Sequence, residues 1–181
     1  MAIAKAPSSN DLQSTLARDW AFQVNTGTTD TPKWVFVRGL SKFAKNAKPG
    51  MKDDSDIDSN GYSSQIATTL EMTFEGEGKR KGKNTAGKFL QDAGQAFLRE
   101  KGGKMGFENI VDARAWRTDG VDDAYAGAFS VEWSDEAGGN EDLDEFKFTL
   151  MSRGEPTRIK PVESDTAPSV PWTDQADPEN P

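Results

Sequence analysis

Short stretches in which apolar and polar residues alternate recur along the chain, and they predict a protein built mainly from β-strands. In residues 20–24, the large apolar side chains occupy every second position: Trp20, Phe22 and Val24. This pattern is typical of a half-buried strand. Residues 33–38 are apolar on both faces, which predicts a strand covered on both sides, with a neighbouring molecule as a candidate cover for one side.

The clearest strand pattern covers residues 64–74. One face of the predicted strand carries the apolar side chains, which are Ile66, Leu70, Met72 and Phe74. The other face is polar and carries Glu71, followed by Glu75 just beyond the strand. Residues 41–60 precede this strand and contain Pro49, Gly50 and four aspartates, so we predict a long loop there. Loops of this length tend to be functional or to be ordered by a partner.

Helical spacing is convincing at one place, residues 86–101, where Ala86, Phe89, Leu90, Ala93 and Phe97 recur on one side. Further strands are predicted at residues 108–116, 127–134, 146–151 and 157–159, with the Gly-Gly-Asn sequence at 138–140 as a turn. Several short strands and one helix predict a mainly β fold, a β-sandwich or barrel with one flanking α-helix and extended N- and C-terminal arms.

Composition divides the chain into an N-terminal arm (residues 1–18), a β domain (19–160) and an acidic, proline-rich extension (161–181). The extension contains five acidic residues and no Lys or Arg. Such a segment buries too little apolar surface to fold alone, so we predict disorder in a monomer. In an assembly, a neighbouring subunit would hold it, anchored by Val170 and Trp172, with its acids facing the basic loop at residues 79–83.

The chain has 181 residues, of which 34% are hydrophobic, and its net charge is −8. No apolar run approaches the roughly 20 residues that span a bilayer, and residues 1–15 lack the apolar core of a signal peptide. There is no cysteine and no histidine. The missing histidine removes the commonest general base and zinc ligand, and no nucleophile motif is present. We expect no enzyme, no catalytic residues and no cofactor, and the acidic charge argues against ordinary DNA binding.

Two motifs have both a structural and a functional interpretation. The sequence from Asp56 to Gly61 fits the start of a calcium loop, with Asp54, Asp56, Asp58 and Asn60 as candidate ligands. The closing Glu is missing, because Ala67 occupies the twelfth position, so a structural or interface turn is the favoured interpretation. Residues 82–88 match a phosphate-binding loop, but Phe89 stands where a Ser or Thr must hold magnesium. We favour a solvated loop, or a basic patch that meets an acidic surface on another subunit.

Several longer sequence motifs follow one another in a fixed order along the chain. W-x-F-x-V-N-T-G-T begins at Trp20, P-x-W-x-x-V-x-G-L begins at Pro32, and D-x-S-D-x-D-S-x-G-Y begins at Asp53. Gly78–Lys81 (GKRK), residues 124–140 and a closing PTRI follow in the same order. Over residues 20–161, the chain resembles the major tail protein, the tail-tube subunit, of long-tailed (siphovirus) bacteriophages, of the type found in actinobacteriophages.

The resemblance implies a structural protein of the virion, made in the host cytoplasm. Six subunits would form a ring, and stacked rings would form the tube through which DNA leaves the head. The subunit would contact itself and other tail proteins (tape measure, terminator and baseplate), and DNA would pass through transiently without sequence-specific binding. The alternative from another class is a calcium-dependent adhesion or carbohydrate-binding β-sandwich built on the acidic turn.

Two groups of residues are candidates for these roles. Acids that face the channel and repel DNA would be Glu71, Glu75 and, from a second strand, Glu132. Alternation places Glu71 and Glu75 together, but it leaves open which face of the strand lines the channel. Contacts between subunits would involve Trp34, Phe36, Asp53, Asp56, Asp58, Tyr62, Lys79, Arg80, Lys81 and Trp172.

Overall fold

A computed structural model describes residues 14–59, 61–136 and 138–173. Within these ranges the fold is mainly β with one α-helix, as predicted. The strands are β1 (Trp20–Asn25), β2 (Trp34–Phe36), β3 (Leu40–Asp53), β4 (Gln65–Lys79), β5 (Gly82–Thr85), β6 (Lys88–Gln91), β7 (Ile110–Arg117), β8 (Ala124–Glu136), β9 (Glu145–Ser152) and β10 (Thr157–Arg158). The helix is α1 (Ala93–Gly102), and short 3-10 turns cover Ala17–Asp19, Ile57–Ser59 and Gly106–Asn109.

One antiparallel sheet has the order β2-β1-β7-β8-β9-β4-β3, with β10 paired to the start of β8. Its two outer strands, β2 and β3, are joined by residues 37–39 alone, so the opposite edges of the sheet must approach each other. Val37 N donates to Phe22 O on β1 (3.2 Å), and Lys79 N at the end of β4 donates to Gly39 O (2.9 Å). The sheet therefore curls around its apolar face.

Aromatic side chains form a large part of the core and meet inside this curled sheet. Phe22 on β1 lies 5.2 Å from Phe43 on β3 and 5.4 Å from Phe148 on β9, measured between ring centroids. These strands are not neighbours of β1 in the sheet, so the contacts cross the interior. Phe74 on β4 is fully buried and lies 4.7 Å from Phe129 on β8. The alternation of these strands correctly predicted their inward-facing residues.

The predicted helix at residues 86–101 begins seven residues too early, because residues 82–91 form the hairpin β5–β6 instead. Ala86 and Gly87 both have positive φ (51° and 76°), as a tight two-residue hairpin turn requires. The helix starts after Asp92, whose side chain accepts hydrogen bonds from Gly94 N and Gln95 N. A short apolar run is ambiguous between strand and helix, and the capping residue decides between them here.

The predicted loop at residues 41–60 is also wrong in its larger part, because β3 continues to Asp53. β3 pairs with β4 along its whole length, yet Phe43 is the one buried residue in it. It is the outer strand of the sheet, where lysines and a proline such as Pro49 are tolerated. Its sequence therefore lacks the apolar alternation by which strands are recognised.

Residues 159–173 fold back onto their own chain. Ile159 bridges to Pro171, Lys160 N donates to Val170 O (2.8 Å), and Trp172 N donates to Arg158 O (2.9 Å). These contacts lie within the subunit, and anchoring of the extension by a neighbouring subunit through Val170 and Trp172 stays a prediction. Residues 1–13 of the predicted N-terminal arm and residues 174–181 of the extension lie outside the described residues.

Residues 159–173 cover Arg114 on the outer face of β1 and β7, so that this side chain has no exposed surface. Its guanidinium donates to Gln23 Oε1 (2.8 Å), to Ala167 O (2.6 Å) and to Asp165 O (3.2 Å). It also lies 4.2 Å from the ring centroid of Trp34. Burial lowers the pKa of Arg114 to about 10, so the side chain remains a cation at neutral pH, held by neutral oxygens and aromatic faces.

Candidate assembly surfaces

The first half of β4 and the second half of β3 project beyond the sheet as a two-stranded arm. Thr73–Lys79 pairs with both β3 and β9, whereas residues 65–72 pair with β3 only. Every residue from 61 to 71 is exposed, and Leu70 keeps 70% of its surface in solvent. We call residues 47–72 the arm.

One face of the arm continues the apolar face of the core. Opposite residues on β3 and β4 share a face, and the pairs on this face are Ala47–Met72, Pro49–Leu70 and, beyond an irregularity in the pairing, Met51–Ala67. Ile66, Leu70, Met72 and Phe74 were predicted to share one face. Met72 and Phe74 are buried, whereas Leu70 and Ile66 are exposed. The residues of β4 that precede Met72 lie outside the core. The register shift beside Gly50 moves Ile66 to the other face.

The outer face of the sheet at β3, β4, β9 and β8 is polar. Glu75 lies opposite Thr149 on β9, and Thr149 lies opposite Glu132 on β8, so the two glutamates share this face. Both are exposed. Glu71 lies on the same face farther out on the arm, opposite Lys48, which confirms that Glu71 and Glu75 lie together. The structure thus brings all three channel candidates to one face.

Glu77 neutralises two lysines on this polar face. It pairs with Lys42 on β3 (2.5 Å) and with Lys147 on β9 (3.7 Å). The hydrogen bond from Lys42 is the main reason that the pKa of Glu77 lies below its ordinary value, and the same contact raises the pKa of Lys42. No sequence motif marked Glu77, because its partners come from two distant strands.

The acidic turn at residues 53–64 uses its carboxylates to hold its own backbone. Asp53 Oδ1 accepts from Ser55 N (2.9 Å), and Asp56 Oδ1 accepts from Asp58 N (3.0 Å). The hydroxyl and the backbone N–H of Ser55 lower the pKa of Asp53. Among the described residues, no three acidic groups converge as a metal site would require. Asn60, the fourth calcium candidate, lies outside them.

Arg80 has its ionic partners within the subunit. It pairs with Asp135 (2.7 Å) and Asp144 (3.0 Å), and Asp135 also binds Arg99 and the indole N–H of Trp133. Burial alone would raise the pKa of Asp135, but these donors outweigh it and lower the pKa. Arg80 therefore ties the end of β4 to Asp135 and Asp144 of its own subunit. Of the other two basic candidates, Lys79 is half-buried and Lys81 is exposed.

The β5–β6 hairpin is an exposed surface that sequence analysis missed, because its residues were assigned to the helix. Phe89 and Leu90 keep 60% and 57% of their surface in solvent. Lys83 and Lys88 are exposed on the same hairpin, and Lys81 is exposed directly before it. A hairpin signal was present in the Ala-Gly turn with apolar residues after it, but Ala-Gly is not a strong turn sequence.

The remaining contact candidates are partly covered by their own chain. Trp34 is half-buried against Arg114, Phe36 is exposed and lies 5.9 Å from the ring of Trp116, and Trp172 is half-buried against Arg158. All five tryptophans, Trp20, Trp34, Trp116, Trp133 and Trp172, are buried or half-buried. They therefore provide no flat exposed platform of the kind that binds sugars.

No protein-family model and no curated protein matches the sequence. The fold, in contrast, matches solved structures. One is a chain in the tail of an empty gene transfer agent (GTA) particle, refined helically with C6 symmetry, at a TM-score of 0.59 and 12% identity over 80% of this chain and 98% of that one. Another is a chain in the virion of a native GTA particle, at a TM-score of 0.57 and 12% identity over 79% and 97% of the two chains.

The backbone fold of this chain is similar to that of the matched chain in each of these two structures. At 12% identity the likeness concerns the backbone, because few side chains are shared. The likeness extends over almost the whole length of the matched chains and over about four fifths of this one. In the described part of the chain, no helix is long and apolar enough to cross a membrane.

Proposed function

We propose that the chain is a structural subunit of a phage tail tube, in which rings of six subunits stack around a channel for DNA. The shared fold supports a place in a tail, and the observation that carries the proposal is the arm with its uncovered apolar face. Tape measure, terminator and baseplate proteins would contact the tube at its interior and ends. The subunit would reside in the virion after synthesis in the host cytoplasm.

The arm requires a partner for physical reasons. A two-stranded hairpin is only marginally stable alone in water, and this one exposes Met51 and Leu70 on the face that continues the core. It also leaves the outer edge of β3 and one edge of residues 65–72 without a strand partner among the described residues. A neighbouring copy that covers this face and extends the sheet would satisfy both needs. Repetition of one such contact closes a ring.

In this proposal, the polar face with Glu75 and Glu132 lines the channel. These acids repel the phosphates of passing DNA, and Glu77 keeps Lys42 and Lys147 from binding them. DNA then slides along the channel without adhering to it. The apolar face cannot take this role, because the core occupies it.

Reversing two of these charges should make the tube retain DNA. In the Glu75→Lys/Glu132→Lys variant, assembled tubes should bind duplex DNA at least tenfold more tightly than wild-type tubes, because lysines gain affinity by releasing counterions. Co-sedimentation of labelled DNA with tubes at low and high salt measures this. A matched control, Glu100→Lys/Glu155→Lys, places the same charges elsewhere on the surface. Equal retention by both variants would exclude the channel assignment for this face.

Sedimentation velocity of the purified chain tests the proposed function itself. We expect a concentration-dependent shift from monomer to species of many subunits, because each added contact buries the apolar face of an arm. A single monomeric boundary at all concentrations would contradict the proposal.

A further inference from the structure

Two exposed surfaces of opposite charge lie at opposite ends of β4. The acidic turn precedes the strand and carries Asp54 and Asp58, together with Ile57, which is 99% exposed, and Tyr62, which is 81% exposed. It is therefore an acidic surface with an apolar centre.

The basic counterpart is the β5–β6 hairpin, which follows β4. Its register pairs Lys83 with Leu90 and Thr85 with Lys88, so one face of the hairpin carries both lysines and Leu90. Residues 80–91 contain no Asp or Glu, and the next acid, Asp92, is paired with Arg38 (2.6 Å). Lys83 and Lys88 therefore find no acidic partner within residues 80–92, and their charge can attract an acidic surface of another copy.

The two surfaces are too far apart to meet within one subunit. β4 contains 15 residues, which at a rise of about 3.3 Å per residue span roughly 46 Å. The turn and the hairpin are anchored to opposite ends of this strand, so a contact between them must join two copies.

We propose that the acidic turn of one copy docks on the β5–β6 hairpin of the next copy in a head-to-tail contact. This inference rests on the proposed function and specifies one contact of the tube. Each contact uses one turn and one hairpin, so every copy keeps a free surface at each end. Such a heterologous contact propagates along an axis instead of closing on a pair. Its chemistry is that of an acidic loop with an apolar centre on a basic hairpin with an apolar centre.

Paired charge reversals test this contact. The turn variant Asp54→Lys/Asp58→Lys leaves in place Asp53 and Asp56, whose carboxylates accept the backbone hydrogen bonds described above. The hairpin variant is Lys83→Glu/Lys88→Glu. Each variant alone should need at least a tenfold higher protein concentration to assemble, because every turn–hairpin contact now joins like charges.

Mixing the two variants should restore assembly, since each turn then faces a hairpin of opposite charge in an alternating stack. The chain that carries all four reversals should also assemble alone. The control Glu100→Lys/Glu155→Lys should assemble as the wild type does. If the turn and hairpin variants alone assemble as well as the wild type, the inference fails while the proposed function stands. If both fail and mixing does not restore assembly, the inference also fails.

A cross-link provides a readout that does not require tubes. The chain contains no cysteine, so Tyr62→Cys and Leu90→Cys introduce the only thiols. On oxidation, a mixture of these two variants should give disulfide-linked dimers faster than a mixture of Tyr62→Cys with Met105→Cys, a control position that is also highly exposed. Preferential cross-linking supports the contact even where the wild type forms no tube. Equal rates for the two mixtures overturn it.

Discussion

A chain that ends at Lys160 should be about 3–5 kcal/mol less stable to unfolding than the full chain, the cost typical of removing the partners of a buried charge. Truncation removes the carbonyl oxygens of Asp165 and Ala167, to which the buried guanidinium of Arg114 donates. It also uncovers the small apolar cluster of Trp116, Ala124 and Ile159, against which Val162 packs. Urea unfolding at a concentration where the protein is monomeric measures the difference.

Two controls separate this effect from a general effect of shortening the chain. A chain that ends at Thr173 retains these contacts and should have the stability of the full chain. In the chain that ends at Lys160, Arg114→Met should recover part of the loss, because no cation then remains buried without acceptors. A truncated chain as stable as the full one would show that the segment contributes nothing to the fold.

Removing the arm should abolish assembly and leave the subunit folded. Ala47 and Met72 lie directly opposite each other, so an Asn-Gly turn can join them and close a shorter hairpin. The deleted residues are 48–71, and those that the structure describes are exposed except for the half-buried Gly50. We therefore expect the free energy of unfolding to change by less than about 1 kcal/mol. Sedimentation velocity should show a monomer at concentrations at which the full chain forms large species.

A milder variant separates the apolar face from the length of the arm. Met51→Ser/Leu70→Ser keeps the backbone of the arm and removes its largest apolar side chains. It should weaken assembly at least tenfold, since burial of such side chains is worth about 1.5–3 kcal/mol each. If the shortened chain assembles like the wild type, the arm is not the contact on which the tube depends.

The strands that sequence predicted well are those in which large apolar side chains alternate with small or polar ones. β1, β8 and β9 were located closely, because Phe22, Phe129 and Phe148 each stand between small or polar residues. β3 was missed because an outer strand on an arm needs few buried residues. The hairpin β5–β6 was missed because its apolar residues are exposed and coincide with helical spacing.

The candidate surfaces depend on contacts between residues far apart in sequence. The partners of Arg114 lie more than 50 residues away, and nothing local marks an arginine that is bound by backbone carbonyls. The same is true of Glu77, whose two lysines come from different strands. In contrast, Glu71 and Glu75 could be placed on one face, because alternation along a single strand is a local property. Sequence predicted which residues share a face of a strand, but it did not predict which distant residues contact that face.

Electron microscopy of the purified chain in negative stain tests the tube assignment most directly. We expect hollow tubes of uniform width, with six subunits around a central channel in end-on averages and a constant axial repeat in side views. The chain without the arm serves as the control and should give only single particles. Wild-type protein that remains as single particles, or that forms filaments without a channel, would contradict the tube assignment.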